Sequence, residues 1–167
     1  TLTVIKQVVD NGHEGNLEAS DFTIHVSGTN VSIGGETFAG NSEGTVVTMS
    51  PGEYEPTEDS VTGYVARFSG DCSGTMPEEG TKTCTITNTQ LGHIIVDKVT
   101  NPSGSEQSFS FQTTGSGYNE FTLTDQAAPN NQLLAPGTYT VSEVIVPGWT
   151  TTAECTYYGE DAGISLP

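Results

Sequence analysis

The stretch PGEYEPTEDSVTGY at residues 51–64 recurs as PGTYTVSEVIVPGW at residues 136–149. Both copies carry a Pro-Gly pair, a tyrosine, a glutamate and a closing Gly-aromatic pair at the same spacing. A Pro-Gly pair favours a turn, and the alternation that follows it is typical of a β-strand. The sequence therefore predicts two copies of one β-rich unit, each with a glutamate near the end of a middle strand.

The repeat extends on both sides of this stretch. DFTIHVSG at residues 21–28 matches SFSFQTTG at residues 108–115, and VIKQVV, with Lys6, matches IIVDKV, with Lys98. We expect two domains: residues 1–90 form a complete β-sandwich, and residues 91–167 form a second copy that is incomplete at its C-terminal end.

Composition supports an all-β chain that does not bind nucleic acid. Patterns with a helical period are absent, and short apolar alternations are bounded by Gly, Asn, Ser and Pro. The fold class predicted is all-β, with two tandem antiparallel β-sandwich domains. The net charge is −17 over 167 residues and only four residues are basic, so no basic patch can neutralise phosphates. No apolar run is long enough to span a membrane.

Twelve candidate strands follow from this pattern. In the first copy they are 1–9, 21–27, 45–49, 53–58, 63–69 and 82–88; in the second they are 93–100, 107–114, 119–124, 131–135, 138–145 and 148–156.

Three polar side chains of the first copy are predicted to face the core. Successive side chains of a strand point to opposite faces. Lys6 therefore shares a face with the apolar residues of the first strand, and Asn88 shares one with Cys84 and Ile86 in the segment CTITN. Glu58 likewise aligns with Tyr54 in the middle strand. An amine, a carboxyl group and an amide should thus meet inside the sandwich.

Burial of these groups predicts a chemical reaction between them. A buried lysine or glutamate is costly unless it is paired, and burial favours the neutral form of both. A neutral amine is a nucleophile, and a protonated carboxyl group can donate to an amide oxygen and shuttle protons. The Lys6 amine would attack the Asn88 side-chain carbonyl and release ammonia. The product is an intramolecular isopeptide bond, formed once and never turned over.

These elements resemble the collagen-adhesin B-type domains, which are also called prealbumin-like or transthyretin-like repeats of surface adhesins and pilins. The resemblance rests on the first-strand lysine, the PGxYxxxE element followed by GY or GW, and the terminal TITN. It implies an immunoglobulin-like sandwich in which Lys6 and Asn88 are joined and Glu58 is the catalytic acid. It makes Lys98 and Glu143 their counterparts in the second copy.

The three cysteines indicate an oxidising compartment. Cys72 and Cys84 flank the turn-like stretch GTMPEEG, which predicts a disulfide that bridges a hairpin. Cys155 aligns with Cys72 but is left unpaired. Neither the cysteines nor the histidines have the spacing of a metal site, so no metal and no cofactor are expected.

The second copy lacks partners for several of its residues. Lys98 and Glu143 have no matching asparagine, and Cys155 has no counterpart of Cys84. Three explanations remain open. The natural chain continues into a longer repeat array, a neighbouring molecule donates the closing strand, or the second copy is an intact six-stranded domain. If a neighbour donates the strand, the contact propagates and the chain self-associates into a fibre.

We expect a structural, extracellular, cell-surface protein that serves as a stalk or as a filament subunit. Its only catalysis would be single-turnover self-crosslinking. The alternative is an adhesin module that binds a host or matrix ligand through its loops, for which Trp149, Tyr157 and Tyr158 are the candidate contact residues.

Overall fold

A computed structural model describes residues 1–10, 16–32 and 35–156. The chain divides into two compact units, Thr1–Gln90 and Leu91–Pro167. Strands dominate both, and the helical structure within the described ranges is one short 3₁₀ turn, Ala19–Asp21. The prediction of an all-β fold is confirmed.

The first unit is a sandwich of two four-stranded sheets. One sheet has the order β4-β1-β8-β6 and the other has the order β3-β2-β5-β7. The strands are β1 Leu2–Val9, β2 Thr23–Ser27, β3 Thr37–Ala39, β4 Thr45–Val47, β5 Gly52–Glu58, β6 Tyr64–Gly70, β7 Gly74–Met76 and β8 Lys82–Gln90.

The first and last strands of this unit are neighbours and run parallel. Their register extends from Leu2 opposite Lys82 to Val9 opposite Thr89. The expectation of a purely antiparallel sandwich is therefore wrong for this pair, while the other strand pairs are antiparallel. The two strands are not joined by a hairpin, because β2 to β7 all lie between them in the chain. A parallel pair needs a long crossover connection of this kind, and here it passes through the opposite sheet.

The core of the first unit lies between the two sheets. Alternate residues of β1, β5 and β8 are buried, in the period of two that places them on one face of each strand. The buried cluster consists of Leu2, Val4, Ile24, Val26, Val47, Tyr54, Met76, Cys84 and Ile86.

The second unit has fewer strands. A three-stranded sheet has the order β11-β10-β13, and β9 pairs with β12. The bounds are β9 Gly92–Val96, β10 Phe109–Thr114, β11 Phe121–Leu123, β12 Asn130–Leu134 and β13 Thr140–Glu143. Phe109, Phe111 and Leu123 form its core, against which Trp149 packs. Among residues 91–156, β9 has no second neighbour of the kind that β8 provides for β1.

Several predicted strand boundaries are wrong. Residues 148–156 form no strand, because the corresponding strand β6 is held in place by β8 and residues 91–156 contain no equivalent of β8. The strand predicted at 93–100 ends at Val96, so Lys98 lies beyond it. The three-residue strands β3 and β7 were not predicted, since an alternation cannot be recognised over so few residues.

Candidate crosslinking site

Three strands of the first unit bring Lys6, Glu58 and Asn88 together. Lys6 lies on the inward face of β1, Glu58 ends β5, and Asn88 lies on the inward face of β8. The parallel register places Asn88 opposite Val8, two residues along from Lys6 on the same face. Lys6 is 0% exposed, Asn88 is 2% exposed and the Glu58 side chain is 2% exposed. The arrangement unites an amine, a carboxyl group and an amide away from water.

The Glu58 carboxyl group contacts both other side chains. Its Oε2 lies 3.2 Å from Lys6 Nζ. Its Oε1 accepts a hydrogen bond of 2.6 Å from Asn88 Nδ2. Lys6 Nζ also donates to the backbone oxygen of Gln7 at 3.2 Å. One carboxyl group thus stands beside the amine and the amide nitrogen at once.

The orientation of the Asn88 amide differs from the sequence-based expectation. We expected the carboxyl group to face the amide oxygen, but Glu58 accepts from the amide nitrogen. Asn88 Oδ1 is buried and has no hydrogen-bond partner among the described residues. The carboxyl group is therefore placed beside the nitrogen that would leave as ammonia.

Burial makes the charged form of the Lys6 amine less favourable than it is in water. Burial lowers the pKa of Lys6 from its ordinary value of 10.5, although the charge of Glu58 and a hydrogen bond to it act in the opposite direction. Lys6 Nζ lies 4.1 Å from the centre of the Phe22 ring, which removes water from that side. The sequence does not mark Phe22 as part of the site, because an aromatic residue in the predicted strand 21–27 is typical of an ordinary core.

The second unit has a related but incomplete arrangement. Lys98 Nζ lies 2.8 Å from Glu143 Oε2, and their side chains are 13% and 6% exposed. Lys98 Nζ lies 4.1 Å from the Phe109 ring centre, as Lys6 does from that of Phe22. Thr151 Oγ1 donates to Glu143 Oε1 at 2.8 Å. A hydroxyl group therefore takes the place at the carboxylate that the asparagine amide holds in the first unit.

Cys72 and Cys84 form the predicted disulfide, but it does not bridge a simple hairpin. Cys72 follows β6, and Cys84 lies in β8 opposite Gly70 of β6. The bond therefore joins β8 to the segment that follows its neighbour β6, because the intervening β7 belongs to the other sheet. Cys155 is free and exposed.

The structure gives little support to the other candidate sites. Trp149 is half-buried and packs edge-on against Phe109 with ring centres 5.3 Å apart, so it is not an exposed contact residue. Tyr157 and Tyr158 lie outside the described residues. Within the described ranges no three His, Cys, Asp or Glu side chains cluster as metal ligands. No helix in those ranges has the length and hydropathy to cross a bilayer.

A family model described as a prealbumin-like fold domain matches residues 1–96. That range contains the whole first unit and β9. No curated protein matches the chain.

Proposed function

This chain belongs to the prealbumin-like fold domain family, and on that premise we propose that it is a structural protein of the cell surface, a stalk or filament subunit. Within that family we place it with the collagen-adhesin B-type repeats. The observation that carries the proposal is the buried contact of Glu58 with both Lys6 and Asn88. The acidic composition and the disulfide suit an extracellular location.

The reaction we propose joins Lys6 to Asn88. The neutral Lys6 amine attacks Asn88 Cγ, so that the Nζ–Cγ bond forms and the Cγ–Nδ2 bond breaks. One proton moves from Nζ through the Glu58 carboxyl group to Nδ2, which leaves as ammonia. Atoms and charge balance without any further reactant, and Glu58 is regenerated.

Geometry and electrostatics support this order of events. Glu58 Oε2 lies on the side of the amine and Oε1 on the side of the leaving nitrogen, so one carboxyl group can serve both ends. Burial lowers the pKa of Lys6, which increases the neutral fraction that can attack. The sandwich also holds the three groups at fixed positions, which replaces a bimolecular encounter by an intramolecular one.

Intact mass is the direct test of the bond. We expect the mass to be lower than the sequence mass by one ammonia per chain, and a tryptic peptide in which Lys6 is joined to Asn88. A chain of full mass, with a Lys6 amine that can be acetylated after unfolding, would falsify the proposal.

Matched glutamate variants test the role of the acid. Glu58→Gln keeps the shape of the side chain but removes its proton transfer, so the ammonia loss should disappear. Glu143→Gln makes the same change in the second unit and should leave the first bond intact. Ammonia loss that persists in Glu58→Gln would remove Glu58 from the mechanism.

For the second unit we propose completion by a strand that resembles β8 and carries an asparagine. The support is the preformed Lys98–Glu143 pair above Phe109 and the edge of β9 that has no second neighbour among residues 91–156. The strand would come from a later segment of a longer repeat array or from a neighbouring molecule. In either case the protein becomes part of an extended assembly.

A synthetic peptide tests this completion. The peptide KTSTITNTQ copies β8 with serine in place of its cysteine. We expect it to form a covalent adduct at Lys98, and the same peptide with alanine in place of asparagine should form none. An adduct that persists in Glu143→Gln, or the absence of any adduct at saturating peptide, would contradict the proposal. Size analysis of the protein alone, under native and denaturing conditions, distinguishes the two sources of the strand. A strand that comes from a neighbouring molecule produces a covalent ladder.

A further inference from the structure

Gly40 lies against the side chain of Lys6 with no room for a side chain of its own. A Cβ atom at this position would lie 2.7 Å from Lys6 Cγ and 3.0 Å from Lys6 Cβ, and it would overlap the Ala19 backbone oxygen. Gly40 is buried. Carbon atoms pack at roughly 3.5–4.0 Å, so any larger residue at 40 must displace the lysine stem or the Ala19 carbonyl group.

Two backbone hydrogen bonds prevent this segment from moving away. Gly40 N donates to Phe22 O at 2.8 Å, and Lys6 N donates to Asn41 O at 3.0 Å. The first ties Gly40 to the residue whose ring lies below Lys6 Nζ. The second ties the next residue to the backbone of Lys6 itself. The lysine side chain is thus confined by groups that are fixed to one another.

We propose that Gly40 is a positioning residue for the crosslinking reaction. It acts with Phe22 as a clamp, here called the Lys6 clamp: Gly40 holds the lysine stem and the Phe22 ring holds its amine. The clamp directs Nζ towards Glu58, which lies across the core on β5, and towards Asn88 on the neighbouring strand β8. This inference rests on the proposed crosslink, because it assigns Gly40 a part in that reaction.

The effect on rate is the first test. Gly40→Ala and wild type are made by cell-free synthesis, samples are stopped in denaturant over time, and intact mass gives the fraction that has lost ammonia. We expect Gly40→Ala to crosslink roughly 10- to 100-fold more slowly, because a displacement near 1 Å in an active site can cost about that much. Gly92→Ala is the matched control. A Cβ at Gly92 meets nothing within 4 Å, so it should crosslink at the wild-type rate.

A second measurement separates positioning from folding and from the crosslink itself. In an Asn88→Ala background no bond can form, and the clamp should still shield the Lys6 amine from acetylation of the native protein. Adding Gly40→Ala should raise acetylation of Lys6 relative to that of the partly exposed Lys82, with a native circular dichroism spectrum. If wild type keeps its full mass, the proposed crosslink fails, and this measurement alone decides whether the clamp exists.

Phe22→Leu examines the other half of the clamp without adding volume. It removes the ring beneath Nζ and should also slow ammonia loss among folded molecules. Wild-type rates in both Gly40→Ala and Phe22→Leu, or unchanged Lys6 acetylation in the Asn88→Ala background, would overturn the inference. If Gly40→Ala does not fold, the Phe22→Leu rate and its Lys6 acetylation decide the question.

Discussion

The two units hold the same lysine–glutamate pair in different surroundings. Lys6 and Glu58 are almost completely buried, whereas the side chains of Lys98 and Glu143 remain 13% and 6% exposed. In each unit one glutamate oxygen faces the lysine and the other accepts a hydrogen bond. The donor is the amide of Asn88 in the first unit and the hydroxyl group of Thr151 in the second. Both lysine amines lie 4.1 Å from an aromatic ring centre.

The contrast between the two units shows what β8 contributes. The lysine, the glutamate and the aromatic ring come together in both units, so they do not need the last strand. β8 supplies the amide and covers the edge of β1, which completes the exclusion of water. The lysine–glutamate pair therefore forms without the last strand, which adds the amide that the proposed reaction requires.

Among the variants that test this comparison, Asn88→Ala should have the largest effect on stability. It removes the proposed bond, which closes a loop on the order of 80 residues and should stabilise the unit by about 4–5 kcal/mol on the chain-entropy estimate. Denaturant titration followed by a probe in each unit should show this loss in the first unit and none in the second. A loss of only about 1 kcal/mol, typical of a single hydrogen bond, would contradict a covalent link.

Removal of the disulfide should have the next largest effect. Cys72→Ser combined with Cys84→Ala opens a loop with a sequence separation of 12, which corresponds to about 3 kcal/mol on the same estimate. Thermal unfolding should shift for the first unit, while the second unit, whose Cys155 is free, should not respond. Equal shifts in both units would mean that the effect does not arise from this loop.

Thr151→Val should cause a smaller loss in the second unit. It removes the hydroxyl group that donates to Glu143 but keeps the shape of the side chain. We expect a loss of about 1 kcal/mol, the usual net value of one hydrogen bond. Thr150→Val, one residue earlier and exposed, is the control and should be neutral. Equal effects of the two variants would show that Thr151 has no special relation to Glu143.

The smallest expected effect is a dependence of stability on pH in the unlinked first unit. In the folded unit the pKa of Lys6 is lower than its ordinary value of 10.5. At pH values below 10.5, Lys6 therefore holds its proton more tightly in the unfolded chain than in the folded unit. The free energy of unfolding of Asn88→Ala should therefore rise with pH through the window below 10.5 and level off above it. The effect is limited because Glu58 offsets part of the burial.

A variant without the Lys6–Glu58 pair provides the reference for this slope. Asn88→Ala with Lys6→Met and Glu58→Gln should lack the rise in the same window. A free energy of unfolding that falls with pH in Asn88→Ala would contradict a lowered pKa of Lys6 in the folded unit.

Alternation in the sequence was enough to predict the fold class and the inward faces. Lys6 and Asn88 sit among buried residues of the same parity, and Glu58 aligns with buried Tyr54. Such predictions succeed because a two-sided strand in a sandwich must bury one face. The repeated PGxYxxxE element also marked β5 and β13 in their correct places.

Other features depend on contacts between distant segments and could not be predicted. Gly40 has no side chain, so only the folded backbone reveals that it presses on Lys6. The parallel pairing of β1 with β8 joins the first and last strands of the unit, which no local pattern in the sequence specifies. The strand predicted at 148–156 fails for a related reason, since its own residues do not suffice to hold it without a neighbour.

The parallel pairing of β1 and β8 has a consequence for biosynthesis. β1 is made at the start of the unit, and its neighbour β8 is made at the end, so their contact is among the most distant in sequence that the unit contains. Contacts of this kind form late in folding. A ribosome-bound chain that ends before residue 82 should therefore keep a free Lys6 amine, and ammonia should appear only after residue 90 has left the exit tunnel. The crosslink would then act as a check on completeness, since only a fully synthesised unit can seal itself.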